Sequence, residues 1–169
     1  MGVPFNDLDP SVAEILFDGL PVEKAIRHTP IERLDLLTGG MALASADLML
    51  SDIQGRENKL RDALQNIRGS YDFIFFDCPP SLSMMSINAL IAADSYIIPV
   101  TAEYLALEGL ISIMQAMDEI KKGMDIQPRL LGIVFTMVIP DLKSARRIID
   151  LVREEYGELA FKTEICRDA

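Results

Sequence analysis

The run Phe73-Ile74-Phe75-Phe76-Asp77-Cys78-Pro79-Pro80-Ser81 is the stretch of this sequence best suited to chemistry. Four apolar residues ending in a carboxylate put Asp77 at the tip of a buried strand. There it can hold a magnesium ion, or a magnesium-bound water, beside a phosphate. The two prolines stiffen the exit from the strand, and Ser83 stands where it can cap a helix over 84–93. The plainer role for Asp77 is to end the strand and cap the next turn. Magnesium and phosphate together call for a cradle of backbone amides and a lysine, yet Gly-x-x-x-x-Gly-Lys-Ser/Thr does not occur in these residues, where no Gly is followed by Lys. Thr38-Gly39-Gly40 is the nearest substitute and, without a lysine, is better explained as a tight turn. His28 is the single histidine, which argues against a His-dependent triad or a multi-histidine metal site. Cys78 has no base motif that would make it a nucleophile.

The elements that must position Asp77 follow from hydrophobic patterning. Residues 71–77, 95–101 and 130–138 are β-branched and aromatic runs, nearly continuously apolar, as expected of strands covered on both faces of a parallel sheet. Residues 34–37 and 159–165 are weaker strand candidates. Between them, apolar residues recur at helical spacing: Leu60, Ala63, Leu64 and Ile67; then Leu107, Leu110, Ile111, Met114, Met117 and Ile120; then Ala145, Ile148, Ile149, Val152 and Tyr156. A further helix is expected over 41–50. Strand and helix in alternation predict an α/β fold, a three-layer α/β/α sandwich on a mainly parallel sheet. Ligands of such folds bind at the carboxyl ends of the strands, here 77–83, 101–109 and 136–143.

The chain has 169 residues, half of them hydrophobic, and no repeat or linker-like stretch, so a single domain over 1–169 is expected. Its net charge of −10 disfavours a nucleic-acid coat, because any contact with a phosphate backbone must come from a local basic patch. Lys143, Arg146, Arg147 and Arg153 supply such a patch on one helix, with an ordinary solvated face as the alternative. No apolar stretch is long and uncharged enough to span a bilayer, and the N-terminus lacks the pattern of a secretory signal. Two cysteines, Cys78 and Cys166, fit reduced thiols better than a disulfide scaffold. A cytoplasmic protein is expected.

Several motifs occur together in order. Tyr71 to Leu82, then Asn88-Ala89-Leu90, Ala92-Ala93-Asp94 and Pro99-Val100, resemble the Walker B and switch region of the ParA/Soj (MinD-like) chromosome- and plasmid-partitioning ATPases. Glu103-Tyr104-Leu105-Ala106-Leu107-Glu108-Gly109-Leu110 resembles that family's E-(Y/F)-x-A-L-E-G-L segment. Gly132 to Met137 resembles its G-I-(V/L)-x-T-M strand, and Phe161 to Ile165 its last strand before the closing helices. The resemblance covers about residues 11 to 169.

It implies a P-loop NTPase-like fold and ATP hydrolysis with magnesium held by Asp77, with Pro79, Pro80, Thr136 and Met137 at the nucleotide. It also implies a dimer or other homo-oligomer, a ParB-like activator, and non-specific DNA contacted through basic residues such as Lys143, Arg146, Arg147 and Arg153. Asp7-Leu8-Asp9-Pro10 matches four places of the family's D-x-D-P-Q, with Ser11 for Gln, so Asp7 is a candidate for positioning the attacking water. Alternatively, Asp9-Pro10 simply opens the following helix. The family's K-G-G-x-G-K-T-T and E-A-P-S segments have no counterpart in these residues, and Cys166 stands where the family usually has proline. These residues alone are therefore expected not to bind ATP tightly, and a truncated sheet is expected to self-associate. A non-catalytic ParA-like interaction protein is the alternative. A flavodoxin-like signalling domain with Asp77 as phospho-acceptor is a third reading, disfavoured because no acidic pair stands on an earlier strand end.

Overall fold

The apolar runs at 95–101 and 130–138 form neighbouring parallel strands in the computed structural model, which describes residues 8–79, 81–124 and 126–167. By their contacts the residues group into two units, Met1–Ala93 and Asp94–Ala169.

In the second unit, β3 (Ser95–Thr101), β4 (Arg129–Val138) and β5 (Ala160–Cys166) lie in the order β3-β4-β5, every pair parallel. Helices α5 (Tyr104–Met124) and α6 (Lys143–Tyr156) make the two connections. Strand alternation turns Ile98, Val100, Ile133 and Phe135 toward these helices. There they meet Leu110 of α5 and Ala145, Ile149 and Val152 of α6, whose spacing puts them on one helical stripe. Ile97, Leu131 and Ile165 of these strands are exposed apolar side chains. The α/β class and the parallel sheet are as the patterning predicts, within a residue at the strand ends.

The first unit is mostly helical. It contains α1 (Val12–Phe17), a two-residue antiparallel pair β1 (Arg27–His28) and β2 (Asp35–Leu36), α2 (Ala46–Met49), α3 (Lys59–Leu64) and α4 (Met84–Ala92), with short 3-10 turns between. Ile15, Leu16, Val22, Leu60, Leu64, Ile67 and Ala89 form its core. Three expectations are corrected here. The candidate strand at 34–37 pairs with Arg27 and His28 as a hairpin rather than entering a parallel sheet. The helix over 41–50 is divided into a 3-10 turn, Met41–Ser45, and the short α2. Residues 71–77 form no helix or strand and pair with no strand among the described residues. Phe73 is 78% and Phe75 85% exposed, stacked on each other at 6.1 Å between ring centroids, while Tyr71 and Phe76 pack against the core of the first unit.

Polar groups hold this unit at a few points. Asn88 is fully buried: its Oδ1 accepts from the Leu60 amide at 3.0 Å, and its Nδ2 donates to the carbonyls of Arg56 (2.9 Å) and Met84 (3.0 Å). Asn88→Ala leaves the Leu60 amide without its side-chain acceptor and is expected to cost about 1–3 kcal/mol, measurable as a lower urea midpoint. A change no larger than that of an exposed alanine substitution would contradict this role.

Ser11 and Glu14 form a capping box on α1, with the Ser11 amide and hydroxyl each donating to Glu14 Oε2 at 2.7 Å. The Ser11 amide, then its hydroxyl, holds the Glu14 carboxyl below its ordinary value of 4.5. Asp35 is lowered from 3.8 by the Tyr71 hydroxyl and then by His28, which lie 2.7 Å from its two oxygens. A carboxylate with a depressed folded pKa contributes stability that is present above its unfolded value and lost as pH falls through the folded one. Stability is thus expected to decline below about pH 4.5, and Glu14→Gln, which removes the titrating carboxyl, should flatten that acid limb in urea titrations at pH 7, 4 and 3. An unchanged acid limb in the variant would refute it.

Candidate functional site

Asp77 is exposed and follows Phe76, which packs on the first unit's core, in a segment that pairs with no strand among the described residues, rather than ending a strand of the parallel sheet β3-β4-β5. Pro79 follows it, also exposed. Asp7 and Pro80 lie outside the described residues. Ser83 begins α4 but makes no side-chain cap; the Met84 amide donates instead to Asp47 Oδ1 at 2.7 Å. That carboxylate sits 37 positions earlier, beyond any local signal. The Cys78 thiol is held above its usual range by desolvation, then by the Asp77 charge, although the residue as a whole is exposed. A thiol so disposed is a poor nucleophile at neutral pH.

Thr38-Gly39-Gly40 lies along the start of α1. The Val12 amide donates to the Thr38 carbonyl at 2.9 Å, and a Cβ on Gly40 would stand 2.8 Å from Ser11 Oγ. Gly40 thus serves close backbone packing on the capping box.

In the second unit, Thr136 and Met137 stand at the carboxyl end of β4, where nucleotide loops of α/β sheets lie. Met137 is 55% exposed and has φ of 54°, a left-handed backbone that a methionine adopts only at a cost of about 1–3 kcal/mol. The register between β4 and β5 shifts across this residue, between Phe135 and Val138. On the far side, the Arg167 amide donates to the Val138 carbonyl at 3.0 Å. Strained backbone of this kind is found at binding loops and turns alike.

The four basic residues do not form one free positive surface. Lys143 and Arg147 are exposed, but Arg146 and Arg153 both turn to Glu164 on β5, at 2.7 and 3.0 Å. Asp150, Glu154 and Glu155 share the helix. Arg153 also donates to the Phe161 and Lys162 carbonyls and lies over the Phe135 ring. Glu164, which pairs with both arginines, carries no signal in the sequence, because a lone acid in a strand has no recognisable spacing to the arginines it meets.

Among the described residues, no group of three His, Cys, Asp or Glu could hold a metal ion by itself. Magnesium commonly takes one or two carboxylates and keeps its waters, completing its shell with phosphate. The single exposed, hard carboxylate of Asp77 fits that pattern. No helix among the described residues is long and apolar enough to cross a membrane.

The AAA_31 family model, described as an AAA domain, matches residues 1–130. The sporulation initiation inhibitor protein Soj of Bacillus subtilis is 34% identical over 168 residues, which are 99% of this chain and 66% of that protein. The chromosome partitioning protein ParA of Myxococcus xanthus is 32% identical over 99% of this chain and 59% of its own length. The chain belongs to the ParA/Soj family of partitioning ATPases. It spans about two thirds or less of these ParA/Soj relatives. The ParA/Soj-type fold is shared by a cobyrinic acid a,c-diamide synthase from Mycobacterium smegmatis, solved with a bound ATP analog and magnesium. It superposes with a TM-score of 0.88 at 30% identity, over 99% of this chain and 68% of that one. A plasmid partition protein from Borrelia burgdorferi, 22% identical with a TM-score of 0.78, shares the fold as well.

Proposed function

We propose that these residues form the magnesium and base-side portion of a ParA/Soj-type ATPase that segregates chromosomes, plasmids or other cargo. The ordered run Asp77-Cys78-Pro79-Pro80-Ser81, in a chain 34% identical to Soj, carries this reading. In it, Asp77 is the Walker B carboxylate and orients waters on the metal, and Asp7 is the candidate for placing the attacking water. Pro79 and Pro80 stiffen the segment that leaves Asp77, and Thr136 and Met137 border the base. The magnesium, when bound, neutralises phosphate charge during transfer of the terminal phosphoryl group. The phosphate grip itself comes from a Gly-x-x-x-x-Gly-Lys-Ser/Thr loop, which these residues do not contain.

The same reading includes a homo-oligomer in the cytoplasm, a ParB-like activator and non-specific DNA. With Arg146 and Arg153 paired to Glu164, Lys143 and Arg147 are left to meet DNA phosphates. A second reading is a ParA-like interaction protein that has lost the nucleotide site. ATP hydrolysis by a chain joining these residues to a phosphate-loop segment separates the two. Magnesium-dependent phosphate release is expected, and a folded joined chain that releases none would support the non-catalytic reading.

A further inference from the structure

We propose that Glu164 is a positioning residue: through Arg146 it holds the Ile139–Leu142 turn and, with it, the left-handed Met137 that borders the nucleotide base. The last clause rests on the function proposed above; the positioning itself rests on geometry alone. Glu164 is an acid on the sheet's outer strand, its side chain only 15% exposed. Both of its oxygens accept from Arg146 Nη1, at 3.0 and 2.7 Å, and one accepts from Arg153 Nη2 at 3.0 Å. Arg153 is in turn fastened to the Phe161 and Lys162 carbonyls, so the carboxylate is set firmly on β5.

Arg146 has a second task. Its Nε donates to the Pro140 carbonyl at 3.0 Å, so one planar guanidinium spans from β5 to the turn that follows β4. That turn closes on itself through the Leu142 amide and the Ile139 carbonyl at 3.1 Å, and the Arg146 amide returns to the Leu142 carbonyl. The other side of Met137 is tied by the Arg167 amide to the Val138 carbonyl. Met137 therefore sits close to two attachments that both lead to β5. A strained residue persists where its surroundings over-determine it, and these attachments supply that constraint. An exposed ion pair would contribute little. This carboxylate is largely covered and takes three charge-assisted bonds, which places it among the stronger kind.

Amide hydrogen exchange on the full chain without nucleotide tests the proposal. Its outcome does not depend on where a base binds. In Glu164→Gln, the Leu142 amide is expected to exchange about tenfold faster, while Ile149 inside α6 keeps its rate. Arg146→Lys keeps the charge opposite Glu164 but lacks the fork that reaches Pro140, so it should free Leu142 in the same way. It also serves as the probe should Glu164→Gln fail to fold. Glu164→Asp, which retains the carboxylate, should restore part of the protection. Unchanged exchange at Leu142, or equal acceleration at Leu142 and Ile149, would overturn the positioning role.

Discussion

Gly132→Ala is expected to destabilise the unit Asp94–Ala169 by about 3 kcal/mol or more, the upper end of what overpacking costs. Gly132 lies in β4 where the register against β3 slips by one residue, between Tyr96 and Ile97. A Cβ there would stand 2.6 Å from Phe161 Cδ1 and 2.7 Å from the Leu159 carbonyl oxygen. The ring can swing aside, but the carbonyl belongs to the backbone leading into β5. Strand β4 would therefore have to part from its neighbour. Urea unfolding of the variant measures the loss, and Phe161→Ala added to it should recover only the share due to the ring. A loss below about 1 kcal/mol would show that the two strands do not approach so closely at this point.

Asp77→Ala is expected to act in the opposite manner, with a large effect on chemistry and little on folding. Asp77 is exposed and packs into no core, so the unfolding midpoint should move by no more than a surface substitution moves it. In a chain that also carries a phosphate loop, magnesium-dependent turnover should fall about 10- to 100-fold, the usual cost of removing a carboxylate that orients metal-bound water. Steady-state hydrolysis over a magnesium titration, beside thermal unfolding of the same variant, separates the two effects. Undiminished turnover would remove Asp77 from the site.

The contrast between these substitutions follows what the sequence could reveal. The strands at 95–101 and 130–138 and the helices over 107–120 and 145–156 were legible because burial against one sheet imposes periods of 2 and 3.6. The run at 71–77 has the same composition as those strands, yet pairs with no strand among the described residues, and Phe73 and Phe75 are exposed. Apolar pattern reports that a segment is suited to burial, and does not by itself name the strand it pairs with. Other features failed for a different reason. Asp47 capping α4, Asn88 bridging Leu60 and Met84, and Glu164 joining Arg146 to Arg153 are side-chain bonds across long sequence separations. No window of neighbouring residues encodes them. Hence Lys143, Arg146, Arg147 and Arg153 looked like one basic patch, while the structure divides them into an exposed pair and a clasp on β5. The motif around Asp77, by contrast, pointed to the family without any structure, because its chemistry is written in consecutive residues.

Calorimetric titration of ATP with magnesium into these 169 residues, beside a chain that joins them to a Gly-x-x-x-x-Gly-Lys-Ser/Thr segment, tests the central claim most directly. The phosphate contacts such a segment supplies, at about 1.5–3 kcal/mol for each charge-assisted bond, amount to about a hundredfold or more in affinity when two or three are involved. No saturable heat is therefore expected at micromolar concentrations of the 169-residue chain, and a saturable isotherm from the joined one. A low-micromolar dissociation constant for the shorter chain, or none for a folded joined chain, would contradict the account.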